Sequence, residues 1–120
     1  MNEVGPSDEV LCAGRLEIRP RDLCARVDGR LLPLTVRELE LLTALVRRRE
    51  RIVSREELYA AVWRQPFEKG DRSVDVYVAK VRTTLERELP DWRYIHSHFG
   101  LGYRFSAQPL QLLHKHTTGR

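Results

Sequence analysis

Between Leu11 and Leu34 apolar and polar residues alternate loosely, in LCAGRLEI and LCARVDGRLLPL, a period near two that predicts short half-buried strands. Asp28-Gly29 predicts a tight hairpin turn, because both residues tolerate positive φ. The reading is a small sheet of about three to four antiparallel strands. Beyond Leu34 the period moves toward that of a helix. Thr35 and Glu38 have capping-box spacing, and Val36, Leu39, Leu42 and Val46, with Leu41 and Leu45, predict a helix to about Arg48. Ser54 and Glu57 repeat that spacing and open a short helix through Leu58, Ala61 and Val62 to Trp63. Pro66 and Gly70 mark the loop RQPFEKGD, and a long helix follows from Arg72 to about Glu88, stopped by Pro90. A hairpin closes the pattern: Tyr94 to His98 one strand, Phe99 to Gly102 the turn, Tyr103 to Phe105 the return. Residues 1–10 read as a disordered leader or linker stub, residues 11–106 as one domain, and residues 107–120 as a largely disordered tail.

The long helix has two distinct sides. Val74, Val78, Val81 and Leu85, spaced four, three and four apart, form a narrow apolar stripe for a core. Arg72, Val76, Ala79, Lys80, Thr83 and Arg87 share the opposite side, and no acid is among these six. Cations can meet phosphates or guanine edges, and a Val or Thr methyl can meet a thymine methyl, so this side suits a DNA major groove.

Composition adds modest constraints. The chain has 120 residues, enough for one domain with a core and too few for two ordinary ones. Lys and Arg number 21 against 17 Asp and Glu, an excess of +4 that permits nucleic-acid binding without establishing it. No apolar run approaches the roughly 20 residues of a membrane span, and MNEVGPSDEV lacks the basic start and apolar centre of a signal peptide. Cys12 and Cys24 read as reduced thiols of a cytoplasmic protein rather than a disulfide. There is no phosphate-binding Gly-rich loop, nucleophile motif or paired-carboxylate site, so neither an enzyme nor a cofactor is expected. His96 and His98, and His114 and His116, form His-x-His pairs without Cys or carboxylates at metal-site spacing, and no metal is expected.

The order small sheet, three helices, hairpin is that of an α+β winged helix-turn-helix. Four segments, LTVRELELL, VSREELYAAVW, DRSVDVYVAKVRTTL and GLGYRF, closely resemble the DNA-binding domain of OmpR/PhoB-type response regulators, over about Gly14 to Ser106. The resemblance implies a third helix in the major groove, a second helix supporting it, and a hairpin wing toward the adjacent minor groove. Carried onto this chain, it makes Val76, Lys80 and Thr83 base-edge candidates, with Ala79 leaving room for a base or methyl. It makes Trp63, Arg72, Ser73, Tyr77, Arg82, Ser97 and Tyr103 phosphate candidates, and places His98 and Phe99 at the wing. It also implies that Arg64, Gln65, Phe67, Glu68 and Lys69 face RNA polymerase, and that two copies bind tandem half-sites head to tail.

Some positions have two readings. Phe99 stands where many relatives carry an Arg that enters the minor groove; the ring either packs under the wing or touches DNA. Ala79 stands where several relatives have a basic residue. Tyr77 and Tyr103 suit either a wet core edge or a phosphate contact. Arg47-Arg48-Arg49 suits a helix C-terminus, where the dipole favours cations, more readily than a nucleic-acid patch. Asp75 is expected to pair with Arg72 or Arg82, or to hold the adjoining loop. The rival function is a protein–protein interaction module on the same scaffold. No part of the sequence can serve as a phosphorylated receiver, so the reading is either a C-terminal output half or a free-standing regulator.

Overall fold

The structure is a computed structural model that describes residues 9–110; residues 1–8 and 111–120, which hold most of the expected leader and tail together with His114 and His116, lie outside the described residues. Strands β1 (Leu11–Ala13), β2 (Leu16–Arg19), β3 (Cys24–Val27) and β4 (Arg30–Leu31) form an antiparallel sheet in that order. Ala13, Leu16, Ile18, Ala25 and Val27 supply its buried side, as the alternation requires. Asp28 and Gly29 both take positive φ, 52° and 83°, and make the two-residue turn between β3 and β4.

Helix α1 spans Val36–Arg47 and opens with a complete capping box. Glu38 N–H donates to Thr35 Oγ1 at 3.2 Å, and Thr35 N–H donates to Glu38 Oε1 at 3.0 Å. At its far end Arg48 donates to the Ala44 carbonyl and Arg49 to the Val46 carbonyl, while Arg47 pairs with Glu9. The three arginines therefore serve the helix terminus and its neighbours. Helix α2 spans Arg55–Trp63 and forms only half of the expected box. Ser54 Oγ accepts from Glu57 N–H at 3.1 Å, but the Glu57 carboxylate turns to Arg48 at 2.9 Å and Arg51 at 2.6 Å. Helix α3 spans Ser73–Glu88, with Asp71 Oδ1 accepting from Ser73 N–H at 2.8 Å to satisfy one of its free amides.

A second sheet, ordered β5-β7-β6, joins β5 (Ile52–Val53), β6 (Trp92–His98) and β7 (Gly102–Pro109). The pattern missed β5, which pairs Ile52 with Arg104 and Val53 with Tyr103. It also ended the hairpin too early. Trp92 pairs with Pro109 and Arg93 with Gln108, so Ala107, Gln108 and Pro109 are ordered strand rather than tail. The core runs from the buried side of the first sheet through the three helices to this second sheet, and in it Leu41, Leu42, Leu45, Leu58, Val74, Val81, Leu89 and Phe105 are all essentially inaccessible to water. Each such aliphatic or aromatic side chain stabilises the fold by about 1.5–3 kcal/mol. At Gly102, φ is 141° and an added Cβ would lie 2.0 Å from the Val53 carbonyl oxygen. Only glycine permits β5 to approach the wing root so closely.

Candidate nucleic-acid interface

Helix α3 buries Val74, Val78, Val81 and Leu85 against the core, as its stripe predicts. Arg72, Val76, Ala79, Lys80, Thr83 and Arg87 are exposed on the other side, and Val76 keeps 49% of its surface in water. Helical spacing adds a residue that the six-residue reading left out. Glu86 is two turns from Ala79, exposed and on the same side. The acid-free stretch therefore ends after Thr83, and Arg87, whose Nε lies 3.6 Å from Glu88, belongs to the acidic end of the helix.

Asp75 organises the flank of this surface. Its side chain is only 14% exposed, and it accepts from Arg55 Nε at 2.8 Å, from Arg72 Nε at 3.0 Å and from the Tyr103 hydroxyl. Burial pushes its carboxyl pKa up, but the hydrogen bonds from Tyr103, Arg55 and Arg72 outweigh burial and hold it below the usual carboxylate range. One carboxylate thus ties α2, α3 and β7 together, and it presents no free negative charge to a ligand. Burial pushes the Tyr103 hydroxyl pKa up, and the Asp75 charge adds to it.

Several expected contacts are placed differently by this arrangement. Tyr103 is 8% exposed with its hydroxyl committed to Asp75, so it supports the interface from inside rather than presenting a phosphate donor. Arg82 does not pair with Asp75. Its Nη2 donates to the Ile95 carbonyl at 3.1 Å and to Ser97 Oγ at 3.0 Å, clamping α3 to β6. Phe67 is half-buried, edge-on to Tyr59 at 5.5 Å between ring centres, and it anchors the α2–α3 loop. Arg64, Gln65, Glu68 and Lys69 of that loop remain exposed.

Trp63 lies in an aromatic stack, parallel to Tyr59 at 5.0 Å and edge-on to Tyr77 at 5.5 Å, with the Arg37 guanidinium 5.0 Å over its ring. Lys80 Nζ sits 4.9 Å over the Tyr77 ring, a cation–π contact that holds the ammonium at the rim of the α3 surface. Ser73 is half-buried at the start of α3, while Ser97 is exposed on β6. His98 accepts from Arg104 Nε at 3.2 Å, and His96 Nε2 lies 3.0 Å from the Ser106 carbonyl. Burial, as the largest influence, pushes the His96 pKa down and favours the neutral ring. Phe99 is fully exposed, at 104%, so the ring does not pack under the wing. Among the described residues no three His, Cys, Asp or Glu side chains come together to hold a metal ion, and no helix is long and apolar enough to cross a membrane.

A sheet, three helices with an exposed third, and a tethered hairpin define a winged helix-turn-helix. The family described as "Transcriptional regulatory protein, C terminal" matches residues 29–105, and the chain belongs to that family, which is one of transcription regulators and not a class of enzyme. The response regulator SaeR of Staphylococcus aureus is 33% identical over 79 residues, a match covering 66% of this chain and 35% of SaeR. The chain thus spans about a third of the length of the curated relatives it matches. The DNA-binding domain of CpxR from E. coli is similar in structure, with a TM-score of 0.72 and 28% identity over 83% of this chain and 98% of that one. The RstA DNA-binding domain of Klebsiella pneumoniae, solved in complex with the RstA box, shares the fold with a TM-score of 0.73 at 23% identity, over 82% of this chain and 97% of its own.

Proposed function

We propose that this chain binds duplex DNA sequence-specifically and regulates transcription as the output domain of a response regulator, with α3 in the major groove and the hairpin toward the minor groove. The observation that carries this reading is the exposed side of α3 from Arg72 to Thr83, which carries cations and exposed methyls but no free acid. Val76, Lys80 and Thr83 face base edges, and Ala79 admits a base or methyl. Arg72, Ser73, Tyr77, Trp63 and Ser97 border the phosphates, and the guanidinium of Arg82 reaches them from its clamp on Ser97. His98 and Phe99 lie toward the minor groove. The loop residues Arg64, Gln65, Glu68 and Lys69 meet RNA polymerase, with Phe67 fixing the loop. Two copies bind direct repeats head to tail.

Selection of bound duplexes from a random pool, followed by titration of variants, tests the reading. Lys80→Ala should cost about 1–3 kcal/mol on the selected site and relax preference at one base pair. Arg82→Ala should weaken all duplexes similarly, lower the salt dependence by about one unit of slope, and lower the melting temperature because its clamp on β6 is lost. Binding by both variants equal to the parent would remove α3 from the interface. The interaction-module alternative is tested by the same titration, since it expects no salt-dependent duplex binding.

A further inference from the structure

The tip of the hairpin is the least explained part of the surface. Phe99 and Leu101 are 104% and 61% exposed, flank Gly100, and neither belongs to the core or packs against it. Gly100 has φ of 75° and Leu101 N–H closes the turn on the His98 carbonyl at 2.8 Å, so the turn is set by its own backbone and both side chains stand clear. No acid lies between Ser97 and Phe105, and Arg104 and His98 stand just behind the tip.

The hairpin's position relative to α3 is fixed at two points. Tyr103 is tied to Asp75 in the first turn of α3, and Ser97 to Arg82 two turns further on. Ser97 and Tyr103 face each other across the hairpin, so both ties act at the same level of the wing. One further strand pair, His98 and Gly102, and then the turn from Phe99 to Leu101 carry the tip roughly 7–10 Å beyond that level, at the rise of an extended chain. If α3 occupies a major groove, the ridge beside it is a phosphate strand, and the next groove over that ridge is the minor groove. A cation there would read narrow, negative grooves. This tip instead presents a ring and an isobutyl group, the kind of side chain that enters between base steps and unstacks them.

We infer that Phe99 and Leu101 form an apolar wedge that enters the minor groove beside the α3 site and selects a deformable pyrimidine–purine step there, an inference that rests on the DNA-binding reading above. Stiff A-tract flanks resist such a wedge, whereas TA and CA steps open readily. The wing then reads deformability, and α3 reads base edges.

The test uses the full chain and duplexes recovered by it from a random pool, end-labelled for energy transfer, with the flank changed to a TA step or an A-tract. The parent should bend the duplex by about 20–90° and prefer the TA flank by about tenfold. Phe99→Ala and Leu101→Ala should each lose much of the bend and the preference with no change in melting temperature, since neither side chain supports the core. Phe99→Arg should reverse the preference toward the A-tract. A parent that favours A-tracts, or a Phe99→Ala variant with the parent's bend and flank preference, overturns the wedge. So does a Phe99→Ala variant that keeps both but loses self-association by ultracentrifugation, which would make the tip a contact for a second copy. Lys80→Ala separates the two levels. If it weakens binding while the tip variants change nothing, only the wedge fails; if the parent shows no salt-dependent duplex binding, the DNA reading fails with it.

Discussion

Replacing Asp75 by Asn keeps the shape of the side chain and removes the charge on which three donors converge. The Tyr103 hydroxyl is buried, and losing a charged acceptor there costs about 1.5–3 kcal/mol. The Arg55 and Arg72 side chains are 39% and 77% exposed, so water replaces much of what they lose, and together they add about 0.5–1 kcal/mol. The expected destabilisation is about 2–4 kcal/mol, a fall in melting temperature of about 10–20 °C for a domain of this size. The pH dependence supplies a second signature. Folding holds the Asp75 carboxyl below its ordinary range, so its stabilisation is fully present above the unfolded value near 3.9 and is lost as pH falls through the lower folded value. The gap in stability between parent and Asp75→Asn should be widest near neutrality and close below about pH 4. Urea titrations at several pH values measure it directly. A Tyr103→Phe variant and the double variant complete a cycle whose coupling should be about 1–2 kcal/mol. A gap that is small at pH 7, or one that does not narrow on acidification, would refute the account of Asp75 as the link between wing and helices.

Two other substitutions test local geometry. Gly102→Ala places a methyl 2.0 Å from the Val53 carbonyl oxygen at a φ of 141°, and should cost about 3 kcal/mol or more, with amide exchange at Val53 and Tyr103 accelerated first; a melting temperature equal to the parent's would contradict the close approach of β5. Arg64 ends α2 at φ of 59°, ψ of 37°, a conformation that glycine adopts without strain, so Arg64→Gly should stabilise by about 0.5–1 kcal/mol in denaturant titration; a loss of stability would show that the Arg side chain holds the loop.

The helices were legible because each carries its own signals. Thr35 and Ser54 cap, the stripe from Val74 to Leu85 faces inward, and all of this lies within a few residues of chain. Strand β5 was not legible, since two residues have no period and its partners, Tyr103 and Arg104, lie fifty positions away. The same limit applied to the extension of β7, where Gln108 and Pro109 qualify as strand only because Arg93 and Trp92 stand opposite. At the interface the exposed residues of α3 followed from helical spacing, and the same arithmetic carried one turn further includes Glu86. The inward turn of Tyr103, the clamp made by Arg82 and the packing of Phe67 depend on contacts between elements, which residue type alone does not fix. Arg55 was missed for that reason. A cation at the start of a capped helix reads as a solvated charge until α3 brings Asp75 against it.

Gly14, at the turn between β1 and β2, lies against the Trp92 ring, and an added methyl there would come within 2.8 Å of it. Trp92 is the first residue of β6, and Phe99 follows the last. The wing is therefore a beam with one bearing on the amino-terminal sheet, a second on α3 through Ser97 and Tyr103, and its tip in water about 20 Å from the first, at the rise of seven extended residues. The ties of Ser97 to Arg82 and of Tyr103 to Asp75 stand between that first bearing and the tip, so they hold the aim of the tip when packing at the first bearing changes. Gly14→Ala should accordingly shift the amide resonances of Trp92 to Tyr94 and leave those of His98 to Leu101 in place, whereas the same change made together with Arg82→Ala should move both.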